Sequence, residues 1–416
     1  MGLRGWVEGE QWWGALFWGD GTFKRELVVT GGCRVVSGCI EGWQEEKGCG
    51  NNMATKWTAG DSPVLCLDVS RGGLVASGAE EGALAVWNIQ GSTIGRLNLE
   101  GDDVTCVSFS HKCESIVYAS HGEAISALDI RSLKEPIECF HVNEDEINCI
   151  SINETDSHLA AADDSGSIKI IDLASKQVTR CLQKHSNICS CVTFRPQWPQ
   201  SLLSCGLDMQ VMLWNLQKTR PVWTVNLQDL AEEEEDNQQI AGCQLFNPPL
   251  AHFTSVASCG NVFACGAEDG KIRLFRVTGA RFELERGFCG HSLGVSQVHF
   301  LNSISHPYWL ISGGNDAKVL LWDLGEQILT GDKRPSKSSR QKSKVGCTTK
   351  KAVRSKGVAH GAKGNRKNQS YHVLPKLSID HGEKVNWISA VEVKGSERIF
   401  IADQSCQISL YPLRDL

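Results

Sequence analysis

An all-β architecture, a single seven-bladed β-propeller, is expected of this 416-residue sequence from three features. The first is a recurring strand end, aromatic or apolar and often followed by Asp or Asn: Trp87, Leu128, Ile171, Trp214, Phe275, Trp322 and Tyr411. Successive ends lie 41, 43, 43, 61, 47 and 89 residues apart, so most spacings match one four-stranded blade and the two long ones carry insertions. The second is strand periodicity within the units. Ser167-Ile168-Lys169-Ile170-Ile171 and Lys271-Ile272-Arg273-Leu274-Phe275 alternate polar and apolar residues, and turn residues such as Asp164-Ser165-Gly166 precede them. The third is a short frame that opens four units: Cys66-Leu67-Asp68-Val69, Cys106-Val107-Ser108-Phe109, Cys149-Ile150-Ser151-Ile152 and Cys191-Val192-Thr193-Phe194. Several short strands per ~43 residues, repeated seven times, are the mark of propeller blades.

Composition agrees with a folded, turn-rich chain. Hydrophobic residues make up 41%, enough for a core, and 41 Gly against 11 Pro supply many tight turns. No apolar run approaches the ~18 residues of a membrane helix. Eighteen Cys contain no Cys-x-x-Cys pair, which removes the usual zinc and thioredoxin spacings. The apolar patch 12–19 is short and follows Glu8 and Glu10, unlike a secretory signal. The four framed cysteines therefore read as small hydrophobes packed in strands, and reduced thiols imply an intracellular protein, nuclear or cytoplasmic.

Taken in order, residues 1–52 hold five of the 13 Trp without a helix or strand period. They read as a poorly structured Trp/Gly-rich extension outside the native product, with Met53 as the usual start, or as a Trp-rich interaction arm. Residues 53–330 carry blades one to six. Thr55-Lys56-Trp57 is the candidate strand to pair beside the last unit and close the ring. The acidic segment 229–236, with four successive Glu at 232–235, reads as a solvated loop and not as a metal site. Residues 331–372 contain 13 Lys and Arg and one acid, Asp332, so a disordered basic insertion is expected between blades six and seven. Lys333, Arg334, Lys350 and Lys351 are spaced like a nuclear-localisation signal. Only Tyr371 accompanies them to stack on a base, so sequence-specific reading of nucleic acid is not expected. Residues 373–416 form blade seven. The net charge of −6 thus hides +12 on the insertion and −16 on the propeller with its acidic segment.

These units resemble the WD-repeat family. The sixth has Gly290-His291, Ser312, Asp316 and Trp322-Asp323, which match that family's tetrad of His, Ser, Asp and Trp. The fourth repeats it with His185, Ser204, Asp208 and Trp214. The resemblance implies that each His links its Asp and Ser inside the blade, a structural role. The second unit has Gly122 where Asp is expected. The seventh has Tyr411 for Trp and no Asp six residues earlier, so apolar packing is expected to hold these two.

No enzyme motif is present: no Walker-type Gly loop with Lys-Ser/Thr, no His-Glu-x-x-His and no Gly-x-Ser-x-Gly. No cofactor or metal is expected. Ala127-Leu128-Asp129-Ile130-Arg131 is similar to the Trp-Asp-x-Arg end of substrate receptors of cullin-4 ubiquitin ligases, with Leu128 departing from Trp. That resemblance implies a non-enzymatic scaffold, monomeric within a larger complex, whose Asp129 and Arg131 dock the DNA-damage-binding adaptor while another surface recruits a substrate protein. In units one, four and six the aligned positions, Gln90, Gln217 and Gly325, are not basic. The other expectation is a nuclear scaffold that binds histone-like basic peptides on an acidic face.

Overall fold

The computed structural model describes residues 54–99, 101–237, 247–301, 306–325, 373–393 and 395–413, with side chains 233–237 excepted. These residues form seven four-stranded antiparallel sheets. The first runs outward as Val64–Val69, Val75–Ala79, Ala83–Trp87 and Thr93–Asn98, and the second as Val104–Phe109, Ile116–His121, Ala124–Asp129 and Glu138–His141. The fourth comprises Cys191–Arg195, Trp198–Cys205, Gln210–Asn215 and Trp223–Asn226. Inner strands of successive sheets pack side by side, and the first sheet packs on the seventh.

Burial explains why the second strands lack simple alternation. In His158–Asp163 the residues Leu159, Ala160, Ala161 and Ala162 are all fully buried, because small side chains let neighbouring blades approach on both faces. Outer strands meet solvent, and Gln177–Gln183 exposes every residue but Leu182. A register shift near the start of the inner strand recurs in six sheets, as between Val64 and Cys66 or Val295 and Gln297. Such a bulge sharpens the local twist that carries the strand into the ring.

The ring closes with Thr55–Thr58, which pairs antiparallel with Gln407–Leu413 from Thr55–Leu410 to Thr58–Gln407. Trp57 is buried there, edge-on to Phe400 with centroids 5.7 Å apart. Sheets and sequence units are offset by one strand. Leu377–Asp380, assigned to blade seven from the sequence, is the outer strand of the sixth sheet, against Lys318–Asp323. The span 326–372 therefore separates the sixth and seventh sequence units while connecting the third and outer strands of one sheet.

The acidic segment differs from expectation. Leu227–Asn237 is an α-helix, not a loop. Asn226 Oδ1 accepts from the Gln228 amide at 2.9 Å, Gln228 Nε2 donates to Glu232 Oε1 one turn on, and Leu227 is fully buried. An end cap, an anchored apolar residue and good helix formers outweigh the repulsion among the Glu residues. The extension 1–52, the basic insertion 331–372 and the nuclear-localisation candidates Lys333, Arg334, Lys350 and Lys351 lie outside the described residues. No helix among the described residues is long and apolar enough to cross a membrane.

All thirteen described cysteines are free thiols. The four framed ones do more than fill space: each donates its S–H to a carbonyl of the next sheet. Cys66 reaches Val104 O at 3.2 Å, Cys106 reaches Ile150 O at 3.8 Å, Cys149 reaches Val192 O at 3.5 Å and Cys191 reaches Thr254 O at 3.6 Å. These bonds are individually weak but recur at four consecutive blade interfaces.

Candidate functional site

Because neighbouring strands are antiparallel, the turns inside each sheet sort to two ends. The first-to-second and third-to-outer turns share one end. The second-to-third turns and the links between sheets share the other, and there the tetrads sit.

In blade six, His291 Nδ1 donates to Asp316 Oδ1 at 2.8 Å and its Nε2 meets Ser312 Oγ at 2.8 Å. The Trp322 indole donates to the same hydroxyl at 2.9 Å. Blade four brings together His185, Asp208, Ser204 and Trp214 in the same way, at 2.9, 2.8 and 2.8 Å. Burial pushes the Asp316 carboxyl up, but hydrogen bonds from His291 and the Ser292 and Lys318 amides hold it at about 2. A carboxylate there fixes the proton on Nδ1, so Nε2 accepts from the Ser hydroxyl. Both networks are enclosed, with the two His and two Ser side chains buried, and they tie a link to its sheet.

Other blades fill the same volume with different groups, which the sequence reading missed. In blade seven, His381 Nε2 bonds Asp403 Oδ2 at 2.8 Å and Nδ1 meets the Tyr411 hydroxyl at 3.1 Å, so a polar network stands where apolar packing was expected. In blade three, Asn143 replaces the His and donates to Asp163 Oδ2 at 2.7 Å. Asp163 and Asp403 each precede their strand end by eight residues, the signal that could have found them. In blade five, Asp269 pairs with the buried Arg273, Nη2 to Oδ2 at 2.6 Å, in place of a His. In blade two, His121 Nε2 bonds Ser126 Oγ at 2.9 Å beside Gly122.

Asp129 and Arg131 lie at the opposite end, where Ala124–Asp129 turns toward its outer strand. Asp129 Oδ1 accepts from the Arg131 amide at 3.0 Å, a turn that Asn88, Asn215 and Asp323 also make with Gln90, Gln217 and Gly325. Of these four turns, that of blade two alone adds a guanidinium from its third residue. Arg131 Nε donates to Oδ1 at 2.9 Å and Nη2 to Oδ2 at 2.5 Å. The Arg131 side chain hydrogen-bonding to it holds the Asp129 carboxyl at about 2. The Arg131 side chain is 74% exposed while Asp129 is 19% exposed, and Nη1 makes none of these bonds. Ile137 on the same turn and Ile94 on the adjacent blade are exposed hydrophobics. Trp198, also exposed, shares this end on blade four, above the buried Arg195 at 5.2 Å.

At the tetrad end, carboxylates crowd across the first three blades. Glu80 is raised by burial and by Asp103 and Glu81; Glu146 is raised by burial and by Asp164, Asp103 and Asp102. Among the described residues no group of His, Cys, Asp and Glu could hold a metal ion.

The WD domain, G-beta repeat family matches residues 134–172, 176–215 and 282–323. The chain is similar to the WD repeat-containing protein 53 homolog of Dictyostelium discoideum, 24% identical over 382 residues, 88% of this chain and 95% of that one. It is also similar to E3 ubiquitin-protein ligase COP1 of Arabidopsis thaliana, 24% identical over 232 residues, 54% of this chain but 31% of that protein. Nuclear distribution protein nudF of Aspergillus niger matches at 22% over 189 residues, 44% of this chain and 37% of that one. The chain thus carries repeats that match this family within a seven-bladed β-propeller closed by its first described strand.

Proposed function

We propose that this scaffold is a substrate receptor or adaptor of a cullin-4 RING ubiquitin ligase, docking the DNA-damage-binding adaptor through Arg131 positioned by Asp129. The observation that carries the reading is an exposed guanidinium pinned by a carboxylate on its own turn. Pinning removes much of the rotamer entropy that an Arg loses on binding, and the bare Nη1 edge can meet a carbonyl or carboxylate. Ile94 and Ile137 expose apolar surface at the same end of the propeller, and likeness to a protein named as a ubiquitin ligase supports the same class. The test is the affinity of purified chain for purified adaptor. Arg131→Ala is expected to weaken it roughly 30-fold, as for an interface hot spot; an unchanged affinity overturns the reading.

A second reading rests on the other end. The crowded carboxylates around Glu80, Glu146 and Asp164 favour a basic, histone-like peptide in a nuclear scaffold. A basic peptide whose binding survives Glu146→Lys with Asp164→Lys would refute it.

A further inference from the structure

Blade one keeps half of the tetrad and leaves the other half open. Its Trp87 indole donates to Ser77 Oγ at 3.0 Å, as Trp214 and Trp322 do to their serines. Strand register identifies the missing partner. Val192 faces Ser204 and Val298 faces Ser312, and His185 and His291 each lie seven residues earlier; Leu67 faces Ser77, and seven residues earlier stands Gly60. A Cβ added at Gly60 would meet nothing within 4 Å. The wall is cut back as well: opposite the serine, Met212 and Leu320 become Ala85. A cavity of about 260 Å³ results, lined by Gly60, Ser77, Ala83 and Ala85, with Asp61 and Arg96 also bordering it.

We propose that this cavity is a binding site for a neutral imidazole ring, taken from outside the blade where blades four and six use their own. Ser204 and Ser312 each meet an imidazole Nε2 at 2.8 Å, whereas Ser77 has only the Ala85 carbonyl, at 3.4 Å. Its hydroxyl proton is thus available to a better acceptor while its oxygen already accepts from Trp87. Alanine walls suit the faces of a flat ring. The volume exceeds the ~150 Å³ that accommodates benzene in an apolar cavity, which leaves room for a substituent. Arg96 lies over the Trp87 ring at 5.4 Å and borders the same space. The ring could come from a histidine of a bound polypeptide or from a free imidazole compound.

The test is a ligand-observed NMR titration of the full chain with 4-methylimidazole at alkaline pH, in wild type, Gly60→His and Ala85→Met. Saturable binding with a Kd on the order of 1 mM is expected for so small a ligand. Gly60→His supplies an internal ring and Ala85→Met restores the wall, so each should weaken binding at least ~10-fold without lowering the melting temperature. Absence of saturable binding overturns the proposal, and so does an equal Kd in both variants, which would put the ligand elsewhere. A capped Gly-His-Gly peptide separates the sources. Displacement of 4-methylimidazole by the peptide identifies a slot open to a polypeptide histidine, and binding of the small ring alone identifies a site for free imidazole compounds.

Discussion

Replacing Ser312 by Ala tests whether the tetrad is a linked unit or three separate bonds. In blade six the change leaves two buried groups without partners, the Trp322 N–H and the His291 Nε2, around a fully buried position. Each orphan costs about 1–3 kcal/mol, so the loss should be roughly 3 kcal/mol. Ser77→Ala is the internal control. It orphans only the Trp87 N–H, and water in the adjoining 260 Å³ cavity can replace the hydroxyl, so its cost should stay near ~1 kcal/mol. For roughly 300 folded residues, unfolding entropy converts these losses to about 5 °C for Ser312→Ala and under ~2 °C for Ser77→Ala. The assay is guanidinium unfolding followed by circular dichroism, with melting at one scan rate alongside. In a Trp322→Phe background, Ser312→Ala should lose part of its effect, because one orphan has gone. Equal losses for the two serines, or a Ser312→Ala loss below ~1 kcal/mol, would refute the linked network.

Asp129→Asn keeps the turn that Asn88 and Asn215 make but frees Arg131, so adaptor affinity should fall ~3–10-fold with an unchanged melting temperature; a lower melting temperature would mean that the carboxylate serves the fold. Trp57→Ala should cost about 3–5 kcal/mol and speed amide exchange along Gln407–Leu413, the strand that Thr55–Thr58 covers; unaltered exchange there counts against the seam. Burial lowers His299 from 6.5 to about 4. Its folded pKa lies below the unfolded one, so its stabilising effect is complete above pH 6.5 and is lost as pH falls through 4, by up to ~3 kcal/mol. His299→Gln should flatten that loss in urea titrations across pH 4–6.5, and an unchanged pH profile would exclude the histidine as its source.

The sequence made the blades legible because a strand end, a turn and alternation are local, and all three repeat. The tetrads of blades four and six were legible for the same reason: their spacing within a unit is nearly constant. Blade seven was not, because Asp403 reaches His381 from a position where blades four and six have Gly206 and Gly314. What matters is which atom fills the volume. From sequence alone the cysteine frames look like apolar filling, because their carbonyl partners lie 38–63 residues away in another sheet, beyond any local pattern. The offset between units and sheets has no local signal either, because it depends on pairing between strands of different units.

That offset has a consequence for a protein cut anywhere in 326–372. The carboxyl-terminal piece would keep Leu377–Asp380, which the amino-terminal piece needs to finish its sixth sheet. The amino-terminal piece would keep Thr55–Thr58, which the other needs to finish the seventh. Each fragment holds a strand belonging to its counterpart's sheet, so the halves form a reciprocal clasp. Separating them requires breaking two strand pairings together, and a nicked chain should therefore migrate as one particle until it is denatured.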